Sequence, residues 1–307
     1  MAYDGEFMKE IDGLISGKIR RNESMARHTS MGVGGPADLF IEPESVDEVR
    51  KVINCLFEYA IPFIPVGNCT NLIVRDGGYR GAVVSLRRLE AMTVERKGEG
   101  NGFIYGEAGV SLSRIVERAT RESLTGMEFC AGIPGSIGGA VRMNAGAYGS
   151  ELKDVISEVG FIDENGMMNT KHRADLTFEY RNLVMKEGSI IVSAVFHLKK
   201  GRDEEIRRRV GEIISMRKSK HPMGYGNAGS VFKNPKDIPA GRIIDEVGLK
   251  GMRIGGAQVS EQHGNFIVNL GDATCMDILH LIEVITARVE KETGIVLEPE
   301  IKIIGDL

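Results

Sequence analysis

Residues 131–149 read AGIPGSIGGAVRMNAGAYG, and six of the eighteen positions from Gly132 to Gly149 are glycine. Without a Cβ, glycine reaches backbone angles closed to other residues and lets the main chain lie close against a partner. A run so dense, with Arg142 its only charge, points to backbone laid against a large, flat, phosphate-bearing ligand, or else to a structural knot between domains. A second cluster, Val66-Gly67-Asn68-Cys69-Thr70-Asn71-Leu72, falls between two extended apolar segments. Its successive N–H groups and its Asn and Thr side chains can form a concave anion site, the alternative being a plain turn.

Around these clusters the chain has the balance of an ordinary globular protein. At 307 residues it exceeds one core of roughly 100–150 residues, so two or three packed units are expected. Its 39 basic against 43 acidic side chains leave a net charge of -4, which excludes a global basic field for nucleic acid. The beginning, MAYDGEFMKEIDGL, has no basic region followed by an apolar run, and no stretch approaches the roughly 20 apolar residues of a membrane span. A cytosolic protein with neither membrane nor nucleic-acid partners is expected. Cys55, Cys69, Cys130 and Cys275 are scattered without a C-x-x-C pair, so reduced, buried thiols are expected, with no disulfide framework and no metal site.

The segment Gly224-Tyr225-Gly226-Asn227-Ala228-Gly229 matches a dinucleotide-binding fingerprint in letters only. No buried strand precedes it, and Ser-Val-Phe-Lys after it is strand-like rather than the start of a helix. Motifs of P-loop hydrolases, zinc proteases and the serine hydrolase elbow are missing from the sequence.

Periodicity predicts a βαβ unit over residues 1–86: a strand at Leu39 to Ile41, a helix capped by Ser45 and Glu48 with Val49, Val52, Ile53, Leu56 and Phe57 inward, an extended Pro62 to Val66, and a strand at Ala82 to Leu86. Residues 87–203 form a second, α+β unit, with strands at Gly102 to Glu107, Val155 to Ile162 and Ile190 to Leu198 and a helix at Leu112 to Leu124. Residues 204–295 form a third. An amphipathic helix within 199–220 leads into it, then a strand at Ser230 to Lys233, a helix entered through Pro239, a strand at Asn265 to Asn269 and a helix from Thr274 to Thr293 closed by Gly294. The tail, 296–307, is extended and can rejoin the first unit.

Read together, the two glycine clusters resemble the FAD-binding segments of the UDP-N-acetylenolpyruvoylglucosamine reductase family. Further stretches follow in the family's order: HTSMGVGGPADLF, EYRNLVM, GNAGSVFKNP, AGRIIDEVGLKGMRIGGAQVSEQHGNFIVN and LEPEIKIIG. The resemblance covers residues 25 to 305. Cys69 and Thr70 depart from the Gly and Ser usual there.

The resemblance implies an α+β architecture: the two-subdomain FAD-binding fold of vanillyl-alcohol oxidase and its relatives, plus a C-terminal α/β substrate-binding domain. The short connection before that domain is similar to the family's second type. It implies non-covalent FAD, NADPH as hydride donor, a UDP-sugar substrate carrying an enolpyruvyl ether, and a monomer or weak oligomer. By the same resemblance, FAD contacts fall to Val66, Gly67, Asn68, Cys69, Thr70, Asn71 and Leu72, and to Gly132, Ile133, Pro134, Gly135, Ser136, Gly138, Gly139, Asn144 and Ala145.

Three residues match the family's catalytic positions. Arg181 would hold the substrate carboxylate through its planar fork. Ser230 would deliver a proton to C2, and Glu300 would act as an acid or polarise the enolpyruvyl group. Lys233 would ease proton loss from Ser230 and, with Asn234, hold the diphosphate. Tyr180, Gln258 and His263 are further substrate candidates. Arg217, Lys218 and Lys220 would steer anions, while Arg207 to Arg209 read equally as a solvated helix face. Open alternatives are another flavoenzyme of the same fold, a nucleotide-sugar binding protein without catalysis, and an RNA-binding protein using the basic helix. Histidines are missing from both glycine clusters, which argues against a covalently attached flavin.

Overall fold

The computed structural model describes residues 3–98, 100–236 and 238–306. The chain divides into two compact units: residues 1–20, 39–68 and 81–215 form one, and 21–38, 69–80 and 216–307 the other. Three consecutive blocks were expected from the sequence. The difference has a packing cause, because Met31, Val33 and Ile73 are buried in the same core as the C-terminal helices, which draws residues 21–38 and 69–80 into the second unit.

In the first unit, Phe63–Val66 and Tyr79–Ser85 pair in parallel, with Val66 opposite Ser85. The helix Val46–Glu58 connects the strand Pro36–Glu42 to Phe63–Val66, giving the predicted βαβ path. Its start is set by Ser45, whose hydroxyl accepts the Glu48 N–H at 3.2 Å. The Glu48 carboxylate accepts from the amides of Glu44 and Ser16 instead of completing a reciprocal box with Ser45. Those amide bonds, offset in part by desolvation, hold the Glu48 carboxyl below its ordinary value. Val49, Val52, Ile53 and Leu56 are buried as their spacing requires, but Phe57 is 40% exposed. Standing in the last turn, it packs edge-on against Phe63 at 5.3 Å between ring centroids, and Cys55 takes the buried position.

A six-stranded antiparallel sheet forms the rest of this unit, in the order Met168–His172, Ile156–Ile162, Ile190–Lys200, Asn101–Glu107, Met92–Lys97, with Leu124–Thr125 beside the end of the long central strand. The helix Leu112–Arg121 buries Leu112, Ile115, Val116 and Ala119, the i, i+3, i+4 stripe read from sequence. The helix Asp203–Lys220 starts later than the basic segment suggested, since Lys199 and Lys200 close the strand before it. Arg207 and Arg208 pair with Asp203 and Glu212 four residues away, which supports the solvated-face reading for them.

The second unit centres on the helix Cys275–Thr293, whose Ile278, Leu281, Ile282, Ile285 and Val289 pack with Ile243, Ile244, Val259 and Ile267. Four short antiparallel strands, Gly226–Asn227, Ile267–Asn269, Ala257–Val259 and Arg253–Ile254, form its sheet. The tail strand Lys302–Ile304 pairs in parallel with Leu72–Val74. Ser230 to Lys233 is not a strand: Phe232 makes only an isolated bridge to Pro299. The reason lies in Asn265, whose Oδ1 accepts the Phe232 N–H at 2.9 Å and whose Nδ2 donates to the Phe232 carbonyl at 2.8 Å. One side-chain amide thus takes the place of a neighbouring strand.

The Cys275–Thr293 helix opens on a reciprocal cap between Thr274 and Asp277, while both carboxylate oxygens of Asp76 accept the N–H groups of Cys275 and Met276. Gly294 ends it at φ 72°, a left-handed conformation suited to glycine. Thr274→Ala should lower unfolding stability by about 1 kcal/mol and Thr274→Ser by much less, read as urea midpoints. Equal losses would show that the hydroxyl cap is not what holds this terminus.

Candidate active site

In the first unit the two glycine clusters meet at Gly67 and Ser136. A Cβ on Gly67 would stand 2.3 Å from the Ser136 Oγ, so only glycine allows this approach. Ser136 is 1% exposed, and its hydroxyl has no hydrogen-bond partner among the described residues. A buried hydroxyl without a partner is costly, and one in a glycine-lined cradle is poised to bond a ligand. The short helix Ile137–Arg142 follows. Its Gly138 packs against Ala108, where a Cβ would come within 2.9 Å, whereas Gly139 is exposed with no atom within 4 Å of its Cβ position. One face of the glycine pair is therefore closed by protein and the other is open. Gly132 and Gly135 hold φ of 72° and 124°, which explains two glycines of the run by backbone geometry alone.

Asn144, expected among the FAD contacts, has its side chain turned inward. It is fully buried, its Nδ2 donates to Glu151 Oε2 at 3.0 Å and to the Glu179 carbonyl at 3.1 Å, and its Oδ1 accepts the Lys153 amide at 3.1 Å. Arg181 stands in the two-residue loop of the hairpin Phe178–Glu179 and Asn182–Leu183. Its φ is 57°, and its guanidinium lies 5.0 Å from the ring centroid of Tyr180, itself 45% exposed. A non-glycine residue held left-handed carries strain that the surrounding structure must enforce.

In the second unit Cys69 also takes a left-handed φ of 50° and is buried. The conformation is one that glycine adopts without a Cβ penalty, so the cysteine holds this turn at an energetic cost. The Ser30 amide donates to the Cys69 carbonyl at 3.3 Å, while its hydroxyl donates to the Asn227 carbonyl at 2.7 Å, which helps to hold the turn. Asn71 grips the tail, with its Nδ2 donating to the Glu300 carbonyl at 3.1 Å and its own carbonyl accepting the Lys302 amide at 2.9 Å.

The same unit brings Ser230 and Glu300 to neighbouring stations of one backbone pairing. Glu300 N–H donates to the Val231 carbonyl at 2.7 Å, and Lys233 N–H donates to the Glu298 carbonyl at 2.8 Å. The Lys233 ammonium is paired with the Glu298 carboxylate, which separates the roles of the two glutamates. Gly229, just before Ser230, has φ 74° with open space around its Cβ position. Asn234 caps the next helix by accepting the Ala240 amide at 3.0 Å, and Gln258 donates to the Gly251 carbonyl at 3.1 Å. His263 accepts the Asn265 amide at 3.2 Å and packs edge-on against His221 and Phe266. Burial, reinforced by Arg217, His263 and Lys220, pushes the His221 pKa down to about 4, and burial also lowers that of His263.

Two residues whose side chains bond to distant main chain escaped the sequence reading. Arg142 lies inside the glycine run, where a charge in an otherwise uncharged stretch was the available signal, and Asn265 opens an apolar segment whose polar first residue reads as a loop end.

A cradle of close-approach glycines, an unpartnered buried hydroxyl and an open helix face suits a flavin dinucleotide, whose phosphates and flat ring system need both backbone access and hydrogen bonding. Residues 37–170 match the model of an FAD binding domain, and the protein is an FAD-containing oxidoreductase. Residues 221–304 match the UDP-N-acetylenolpyruvoylglucosamine reductase C-terminal domain. A UDP-N-acetylenolpyruvoylglucosamine reductase of Syntrophus aciditrophicus is 50% identical, over 98% of this chain and 96% of its own. Another, of Caldanaerobacter subterraneus, is 46% identical, over 97% of each chain. The crystal structure of the Thermus caldophilus reductase is 35% identical with a TM-score of 0.79, over 94% of this chain and 99% of its own. A solvent-stable cholesterol oxidase, 15% identical with a TM-score of 0.50 over 65% of this chain and 40% of its own, shares the fold alone. The chain belongs to the UDP-N-acetylenolpyruvoylglucosamine reductase family.

Two outcomes follow from this geometry. Ser136→Ala removes a buried unsatisfied hydroxyl, so the apoprotein should melt at the same or a higher temperature while FAD binds about three- to tenfold more weakly, the worth of one hydrogen bond. Unchanged FAD affinity by fluorescence titration would exclude the hydroxyl from the cofactor site. The depressed His221 pKa has a definite sign: from its ordinary 6.5 down to about 4 the unfolded chain takes up a proton that the folded chain refuses, so stability falls as pH falls through that window. His221→Gln should flatten the decline of urea midpoint between pH 7 and pH 5; an unaltered slope would assign it to other groups.

Proposed function

We propose that the protein reduces the enolpyruvyl ether of a UDP-N-acetylglucosamine derivative to the corresponding lactyl ether with NADPH, as a cytosolic monomer or weak oligomer making cell-wall precursor. When bound, FAD would supply the two-electron hydride chemistry between NADPH and the vinyl carbon C3. Gly67, Ser136 and Gly139 of the first unit are the residues best suited to hold it.

The protein's own groups handle the charge and the proton. As the C=C π bond breaks and a C–H bond forms at C3, negative charge builds on C2 and the adjoining carboxylate. Arg181 offers a planar, permanently charged fork for that carboxylate. Ser230 delivers the proton that forms the second C–H bond, at C2, and Glu300 serves as acid or polarising carboxyl beside it. The product gains one hydride and one proton, and NADPH leaves as NADP+.

The observation that supports this reading is the main-chain pairing of Val231 and Lys233 with Glu298 and Glu300, which brings the backbone of Glu300 alongside the residue that follows Ser230, just past the open Gly229 turn. The pairing of Lys233 with Glu298 makes the lysine a brace for that arrangement, and a diphosphate would have to compete for it.

Stopped-flow separation of the two half-reactions provides the test. Ser230→Ala should leave flavin bleaching by NADPH within about twofold and slow re-oxidation by the enolpyruvyl substrate by about 10²–10⁴-fold, the range for loss of a general acid. Equal loss in both halves would remove Ser230 as proton donor. A purified protein that is colourless and takes up no added FAD would overturn the whole reading.

A further inference from the structure

Arg142, outside every role considered so far, reaches the Arg181 hairpin. Its Nη1 donates to Asn182 Oδ1 at 2.9 Å and to the Leu183 carbonyl. Two residues on, Asn144 Nδ2 holds the Glu179 carbonyl at 3.1 Å. Across the hairpin mouth, Asn182 Nδ2 donates to Glu179 Oε2 at 3.0 Å. The residues flanking the Tyr180-Arg181 loop on both sides are thus held by Arg142 and Asn144 of the glycine run.

Arg142 is half-buried, Leu183 is fully buried, and Asn144 is fully buried with φ 42°. Both donors of the Asn144 amide and its acceptor are engaged, so the side chain has one arrangement open to it. The loop it grips needs such a grip, because Arg181 at φ 57° would otherwise relax out of the left-handed region.

We propose that Arg142 and Asn144 are positioning residues that lock the Arg181 turn to the flavin-binding segment, so that the aim of Arg181 is set by these two residues of that segment. The inference rests on the reading of Arg181 as the carboxylate-holding group. It assigns two functions to the second glycine run: its open face and Ser136 serve the cofactor, and its C-terminal end serves the substrate's carboxylate. Arg142 is suited to the second task because its planar head can satisfy a side-chain oxygen and a main-chain oxygen together.

A double-mutant cycle tests it in the full-length, FAD-loaded protein. Arg142→Met should slow re-oxidation by the enolpyruvyl substrate by about 10²-fold, the scale of a misplaced catalytic group, while flavin reduction by NADPH stays within about twofold. In an Arg181→Ala background Arg142→Met should add no further loss. Arg142→Lys should recover part of the rate, and Asn182→Ala, which removes one of the two acceptors, should fall between. Hydrogen exchange of the apoprotein gives a readout independent of turnover: amides of residues 182–184 should exchange faster in Arg142→Met, with exchange in the Cys275–Thr293 helix unaltered.

Additive losses in the double mutant, or equal slowing of both half-reactions, would overturn the positioning role. If Arg181→Ala itself turns over like the parent, the reading of Arg181 fails and the proposal falls with it. Should Arg142→Met fail to fold, Asn182→Ala decides alone: re-oxidation slowed at least tenfold in single Asn182→Ala, with no added loss on Arg181→Ala, supports the proposal, and an undiminished rate overturns it.

Discussion

A buried side-chain amide bonded to main chain is the interaction on which the reactive part of this molecule depends. Asn265 occupies both the N–H and the carbonyl of Phe232. Asn71 holds the carbonyl of Glu300, and Asn144 the carbonyl of Glu179. Asn265 and Asn144 are buried and Asn71 is half-buried, and each amide grips a segment at, or two positions from, a candidate reactive residue. Such a loop gains the rigidity of a strand without belonging to a sheet.

Left-handed backbone is the companion constraint. Arg181, Cys69 and Asn144 all adopt it without being glycine, and all three fall in segments assigned to cofactor or substrate. The strain is tolerable because hydrogen bonds over-determine each turn: Ser30 on the Cys69 carbonyl, and Arg142 with Asn144 around the Arg181 loop. At Cys69 the chain retains a conformation for which glycine would be the natural residue, so that loop keeps its path with a buried thiol in place of a hydrogen.

Much of the scaffold was legible in the residues because helix periodicity and caps are local. Ser45, the Leu112 to Ala119 stripe, Thr274 and Gly294 each announced an element that the structure contains. The failures share a cause. Ser230 to Lys233 reads as a strand because Val231 and Phe232 are apolar and bulky, yet Phe232 is held on one edge by an isolated bridge to Pro299 and on the other by the side chain of Asn265, 33 residues away, and no local pattern reveals either. Phe57 has the spacing of a core residue but stands in the last turn, where the helix face has already left the core.

The sequence by itself determined the family, the two glycine clusters and the candidates for moving a proton or holding a carboxylate, since these depend on residue type and order. Only the tertiary structure decided which of those groups are braced and by what: Lys233 against Glu298, Asn144 and Arg142 behind the Arg181 turn, Glu300 beside the Ser230 loop. It also decided that residues 21–38 and 69–80 belong with the C-terminal core. The physical reason is the same throughout. Hydrogen-bond satisfaction and apolar burial are met by whatever group lies nearest in space, and segments far apart in the chain become neighbours only on folding.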